Sequence, residues 1–193
     1  MNKRSADESR KRILEAALTV FAEYGYARAS MRTIARQAGT SVGGLYLYFK
    51  NKEELYLTFL QEGLNDLNGR TQDALRALDE PVGAINAFIA ISIDFARTHK
   101  ESIILQGREL GFTFGSEFKR RFSRERRMMI ENIIKKGTAS GVFRACDAAE
   151  AAKVIFTMLR GFVVSMATDE ESLFTADECA RLVLHGLLRR SDE

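Results

Sequence analysis

The stretch SMRTIARQAGTSVGGLYLYFKNKEEL, residues 30–55, decides how the chain is read. Ser30 can cap a short helix whose inner face is Ile34, Ala35 and Ala38. Gly39 then turns the chain, and another short helix is expected from about Ser41 to Phe49. Two short helices joined by a tight glycine turn make a helix-turn-helix. Asn51 and Glu54 match the N-cap and N3 positions of a capping box, which opens a long helix with Leu55, Phe59, Leu60, Leu64, Leu67, Leu75 and Leu78 inward. Asp79-Glu80-Pro81 is expected to end it. Upstream, Ile13, Leu14, Ala17, Leu18 and Phe21 recur on one helical face, and Gly25 is placed to cap that first helix.

With Leu45 and Phe49 turned inward, steps of 100° put Gly43 and Leu47 on the outer face, flanked by Gly44 and Tyr46. Two adjacent glycines in so short a helix cost on the order of 2 kcal/mol relative to alanine. Close approach of the helix backbone to a partner is a physical reason to retain them, and an outward Leu47 can meet a thymine methyl in a major groove. Tyr46, Tyr48, Lys52 and the N–H groups that open the following helix are suited to phosphates. Arg32, in the first turn of its helix, is the side chain best suited to a bidentate guanine contact.

Working outward, the charge of the chain follows this division. The 193 residues carry a net charge of +3, but residues 1–52 hold +6 and residues 53–193 hold −3. All five tyrosines lie at or before Tyr56, while ten of the thirteen phenylalanines lie from Phe88 onward. A basic, tyrosine-bearing segment suits a polyanion, and a phenylalanine-rich one suits an apolar core or pocket. Two regions with different jobs, residues 1–52 and residues 53–193, are therefore expected. A single proline and the lack of strand-period alternation favour an all-α fold. No apolar run suits a signal peptide or a membrane span, so a cytoplasmic location without membrane association is expected. Cys146 and Cys179 have no metal-type spacing; a redox role and inert burial are both open to them.

Beyond Pro81 the helical period returns in Ile85, Phe88, Ile89, Ser92 and Phe95, and a shorter helix is expected over Ser102 to Leu110, broken by Gly111 to Gly115. Phe118, Phe122, Met129 and Ile133 mark another, ending around Gly137 to Gly141. Ala148 to Ala167 and Thr175 to Arg189 read as the last two, separated by Asp169-Glu170-Glu171. Phe88, Phe112, Phe114, Phe118, Phe122, Met128, Met129, Phe156 and Met158 are candidates for an apolar ligand cavity, and core packing accounts for any one of them equally well. Arg108 and Arg160 are candidates for an anionic ligand head, with salt bridging, for example to Glu109, as the competing reading. The basic run Lys119-Arg120-Arg121 and Arg124 to Arg127 is read as a solvated helix face. Ile155, Leu159, Phe162, Val163 and Met166, with Leu182, Val183 and Leu187, form two apolar faces that suit a four-helix interface between protomers or closure of the protomer's own core. The two histidines, His99 and His185, sit in no nucleophile or metal pattern, and no phosphate loop, HExxH or GxSxG occurs. An enzyme is not expected, nor a cofactor.

The run Ser30 to Ala35, then Ala38-Gly39, then Gly43 to Leu55, within a match from Ile13 to Phe59, resembles the DNA-binding domain of the TetR/AcrR family of bacterial transcription regulators. The resemblance implies nine helices in all: a three-helix DNA-binding domain, then a larger helical domain with a ligand cavity after residue 80 and a homodimer made through the last two helices. It implies that Arg32, Thr33, Thr40, Ser41, Val42, Gly43, Gly44, Tyr46, Leu47, Tyr48 and Lys52 occupy the DNA-facing positions. Many members carry Thr or Ser where Gly44 stands, so a hydroxyl contact is absent here. The function implied is repression at a palindromic operator, relieved by a small, largely apolar effector. An activator or architectural protein without a ligand is the alternative.

Overall fold

A computed structural model of the chain describes residues 3–108, 116–168 and 175–188. Among them the regular structure is nine α-helices and no strand: α1 (Lys3–Arg28), α2 (Met31–Gln37), α3 (Val42–Tyr46), α4 (Lys52–Arg76), α5 (Pro81–Thr98), α6 (Lys100–Arg108), α7 (Ser116–Ala139), α8 (Ala148–Thr168) and α9 (Ala176–Leu187). The chain divides into two compact units, residues 1–63 with 101–115, and residues 64–100 with 116–193. The expected break at Gly111 to Gly115, the turn at Asp169-Glu170-Glu171, and Phe112 and Phe114 lie outside the described residues.

The first unit has an apolar core of Ile13, Leu14, Ala17 and Phe21 from α1, Ile34 and Ala35 from α2, Leu45 from α3 with Phe49 just beyond it, and Leu55, Tyr56 and Leu60 from α4. Phe21, Tyr26 and Tyr56 meet at ring-centroid distances of 5.3 to 5.6 Å. Gly25 does not simply cap α1. At φ 75° and ψ 158° it breaks the helical course, and the turn to Arg28 continues beyond it, in a backbone region open to glycine.

Capping explains where the short helices start. The Ser30 hydroxyl accepts from the Thr33 N–H at 3.1 Å, and the Ser41 hydroxyl from the Gly44 N–H at 2.9 Å. Gly39, at φ +62°, follows α2 and lets the Thr40 N–H return to the Ala35 carbonyl at 3.0 Å. α3 is shorter than its periodicity predicts, ending at Tyr46 rather than Phe49. The Asn51 side chain accepts from the Glu54 N–H at 2.8 Å, while the Glu54 carboxylate reaches the N–H of Lys50 at 2.6 Å, one residue before the position a capping box requires.

α4 ends at Arg76, before Leu78, and Pro81 opens the next helix rather than closing this one. Proline suits the first helical position because its missing N–H needs no partner there. Glu80 caps α5 through bonds from the Val82 and Gly83 N–H groups.

In the second unit α5, α7, α8 and α9 enclose Ile85, Phe88, Ile89, Ile130, Ile134, Phe143, Leu159 and Val183. A Cβ at Gly137 would stand 2.1 Å from the Phe143 ring, so glycine is what lets that buried ring lie against α7. The segment after α7 is tied to the end of α9 by the Arg144 N–H to the Leu187 carbonyl, 2.9 Å, and by the Arg144 guanidinium to Gly186, 2.7 Å.

Candidate functional site

α3 divides sharply into two faces. Leu45 is wholly buried, whereas Tyr46 and Leu47 are 51% and 80% exposed, and Val42 and Gly43 face solvent. An exposed leucine of that degree beside an exposed tyrosine has no packing role within the unit. A Cβ added to Gly43 would meet nothing within 4 Å, so no neighbour in the free protein requires glycine there. At Gly44 a Cβ would come within 2.7 Å of the Thr40 hydroxyl and 3.1 Å of the Ser41 hydroxyl, both of which would have to shift.

The remaining candidates are arranged around this face in different ways. Arg32 is exposed in the first turn of α2, and Thr33 is half-buried with its hydroxyl 2.9 Å from that of Ser30. Thr40 is half-buried and Ser41 exposed, its hydroxyl engaged as the α3 cap. Tyr48 is half-buried against the core of the unit. Lys52 differs most from its expected role. Its ammonium donates to the carbonyls of Tyr26, Ala27 and Ala29 at 2.6, 3.3 and 2.8 Å and lies 4.3 Å from the centre of the Tyr26 ring. Three carbonyls therefore take its three N–H donors within the unit, and Lys52 ties the end of α1 to the start of α4. The first turn of α4 holds Glu53 and Glu54, and the Glu54 N–H is occupied by the Asn51 cap.

The ligand candidates scatter. Phe88 is buried in the core of the second unit; Phe118, Phe122, Met129, Phe156 and Met158 are half-buried; Met128 and Arg160 are exposed. The side chain of Arg108 lies outside the described residues. The basic run on α7 is solvated at Arg120, Arg121 and Arg124, but not at Arg126, which is only 3% exposed. The Arg126 side chain donates to the Thr71 hydroxyl on α4 at 2.8 Å and to the Ser92 hydroxyl on α5. Those hydroxyls in turn donate to the carbonyls of Leu67, at 2.7 Å, and Phe88, at 2.6 Å. The guanidinium stands 4.0 Å from the centre of the Phe88 ring and 6.0 Å from that of Phe122.

No carboxylate pairs with Arg126 among the described residues. Burial alone pulls it down from the ordinary arginine value to about 10, which corresponds to a cost of about 3 kcal/mol for keeping it charged at neutral pH. Sequence reasoning missed this residue because its neighbours Arg124, Glu125 and Arg127 made the segment look wholly exposed. Its one signal was position: Arg126 lies on the Phe122–Met129–Ile133 stripe, where an apolar residue belongs.

Of the residues expected at a dimer face, Ile155, Leu159, Val183 and Leu187 are buried in the protomer's own core, Phe162, Val163 and Met166 are half-buried, and Leu182 is 61% exposed. Cys146 is exposed and Cys179 buried, where burial pushes its thiol up to about 11. Cys179 is therefore a thiol, not a thiolate, at neutral pH.

Residues 13–58 match the family of bacterial regulatory proteins, tetR family. Over 138 residues the chain is 30% identical to the HTH-type transcriptional repressor KstR2 of Mycolicibacterium smegmatis, covering 70% of this chain and 67% of that one. The fold superposes on a TetR transcription regulator from Haloarcula marismortui with a TM-score of 0.82 at 21% identity, over 95% of this chain and 100% of that one. It also superposes on the regulator FadR of Bacillus subtilis, solved in complex with stearoyl-CoA, with a TM-score of 0.77 at 22% identity, over 91% and 98%. The chain belongs to the TetR family of bacterial regulatory proteins. It is a DNA-binding transcriptional regulator, not an enzyme. No described helix is long and apolar enough to cross a membrane.

Proposed function

We propose that the protein is a cytoplasmic, ligand-responsive repressor that holds a palindromic operator as a homodimer and leaves it when a small, largely apolar effector binds. In this reading residues 1–52 contact DNA and residues 53–193 sense the effector and dimerise. The observation that carries it is the outer face of α3, where Gly43, Tyr46 and Leu47 are exposed without an internal reason. A glycine at that position lets the helix backbone approach a groove, Leu47 offers an apolar contact to a thymine methyl, and Tyr46 and Tyr48 offer hydroxyls to phosphates. Arg32, Thr33 and the segment Thr40 to Gly44 flank that face. Lys52 serves DNA binding as a positioning residue, holding α1 against α4.

Dimerisation through α8 and α9 is supported by apolar side chains left outside the protomer core. Val154, Val164 and Leu182 are exposed, and a Cβ at either Gly161 or Gly186 would meet nothing within 4 Å, which permits a partner helix to come close. Two recognition helices about 34 Å apart would then enter successive major grooves. α4 contributes Leu55, Tyr56 and Leu60 to the first core and presents buried Leu67 and Thr71 in the second unit, so an effector with differential affinity for two placements of α4 would change operator affinity. The stearoyl-CoA bound by the Bacillus subtilis regulator supports an effector with a long apolar body.

Selection of duplexes from a random DNA pool tests the reading. Enrichment of a palindrome whose binding weakens steeply with salt is expected. Arg32→Ala should cost about 1–3 kcal/mol on the selected site and relax base choice at one position of each half-site. Recovery of no common sequence, or equal losses for Arg32→Ala on selected and random duplexes, would overturn it.

A further inference from the structure

Arg126 is the most unusual residue in the second unit. A guanidinium has five N–H donors, and two of them reach the hydroxyls of Thr71 and Ser92. Among the described residues no further acceptor and no carboxylate meets it. Both hydroxyls already spend their own protons on the carbonyls of Leu67 and Phe88, so they meet the cation as dipoles and leave its net charge in place. The Phe88 ring adds a cation–π contact but no negative charge. Buried charges in proteins are ordinarily paired.

A second orphan lies on the same two helices. Asn68, one turn before Thr71 on α4, donates its amide NH2 to Glu125 at 2.9 Å, next to Arg126 on α7. The Glu125 carboxylate needs a donor, which fixes the orientation of the amide. The Asn68 carbonyl oxygen is then buried without a partner. The α4–α7 seam thus carries an unpaired cation, with the rings of Phe88 and Phe122 beside it, and an unpaired acceptor on an amide that holds the Glu125 carboxylate.

We propose that Arg126 is the anchor for the acidic head of the effector, which is a monoanionic carboxylate on a largely apolar body. The proposal rests on the reading of this unit as the effector domain. One buried guanidinium balances one negative charge; a dianionic phosphate would bring a second, and no other cation is buried among the described residues. The planar fork matches a carboxylate in bidentate geometry, and the rings of Phe88 and Phe122 suit the adjoining hydrocarbon. Because Thr71 is on α4 and Ser92 on α5, a carboxylate that draws the guanidinium toward itself loosens two of the bonds that hold these helices to α7.

Calorimetry on the full chain tests this without DNA, using dodecanoate and naphthoate against dodecanol and naphthalenemethanol. The wild-type protein should bind at least one acid more tightly than the matching alcohol by about tenfold or more. Arg126→Met should abolish that preference by lowering acid affinity far more than alcohol affinity, and Arg126→Lys should reduce it without abolishing it. A purely structural arginine would change acid and alcohol affinities together. Equal affinity for acid and alcohol in the wild type, or a preference that survives both substitutions, overturns the proposal. Should Arg126→Met not fold, Arg126→Lys and Thr71→Val decide: Thr71→Val leaves the charge in place and should keep the acid preference. A carboxylate that binds through Arg126 without releasing the selected palindrome would leave the anchor standing and overturn the release mechanism instead.

Discussion

Lys52 in the first unit and Arg126 in the second are both cations held against an aromatic ring inside a helical core, and their charges are met in different ways. Lys52 sits at the C-terminal end of α1, beyond the break at Gly25, where three carbonyl groups point at it, and it remains half-exposed. Arg126 sits mid-helix, almost fully buried, facing two hydroxyls. A helix end is a concentration of unpaired carbonyl groups with a partial negative charge, so an ammonium there is compensated by the backbone itself. A helix side offers no such charge. Lys52 therefore belongs to the fold of the first unit, its charge met by the backbone, whereas no carboxylate among the described residues meets the charge of Arg126.

The largest effect that could break this comparison is the loss of Lys52. Lys52→Met should destabilise the protein by about 2 kcal/mol in urea unfolding, because three carbonyls lose a charged donor. DNA binding should then fall equally on all sequences. Arg126→Met should come next, within about 1 kcal/mol of wild type in either direction, since replacing an unpaired buried charge by an apolar side chain of similar length removes its desolvation cost along with its bonds. A loss as large as that of Lys52→Met would mean that Arg126 is compensated after all.

The sign with pH is defined. The folded value of about 10 lies below the ordinary arginine value, so the folded state binds fewer protons than the unfolded state between the two. The penalty is present in full below about pH 10 and is relieved as pH rises from there toward the unfolded value. The stability difference between Arg126→Met and wild type should therefore be flat from about pH 6 to about pH 9.

The smallest effect sharpens a second contrast, between two glycines. Gly137 is held by the Phe143 ring, while Gly43 has open space around it. Gly43→Ala should raise stability by about 0.5 kcal/mol, as expected for alanine in a helix, and yet weaken binding to the selected palindrome about tenfold or more by holding the α3 backbone off the groove. An unchanged operator affinity in an anisotropy titration would remove Gly43 from the interface.

The helix-turn-helix was readable because its determinants are local. Ser30, Ser41 and Asn51 act within three residues of themselves, Gly39 acts through its own φ, and Leu45 and Phe49 follow the 100° period. The departures were also local competitions: α3 ends at Tyr46, Glu54 turns back to Lys50 instead of Asn51, and Pro81 begins a helix where it was expected to end one. At α8 and α9 the period identified apolar faces but not their partners. Ile155, Leu159, Val183 and Leu187 fill the protomer core, and Val154, Val164 and Leu182 remain outside it.

Caps, turns and periodicity within a few residues made the order of the described helices, the family and the outward face of α3 legible in the sequence alone. Only the tertiary structure decided that Lys52 is spent on the end of α1 and that Arg126, inside a run of surface charges, is buried between Thr71 and Ser92. Those contacts join residues 23 to 55 positions apart. The environment of a charged side chain is set by such distant neighbours, and no local pattern in a single sequence encodes them.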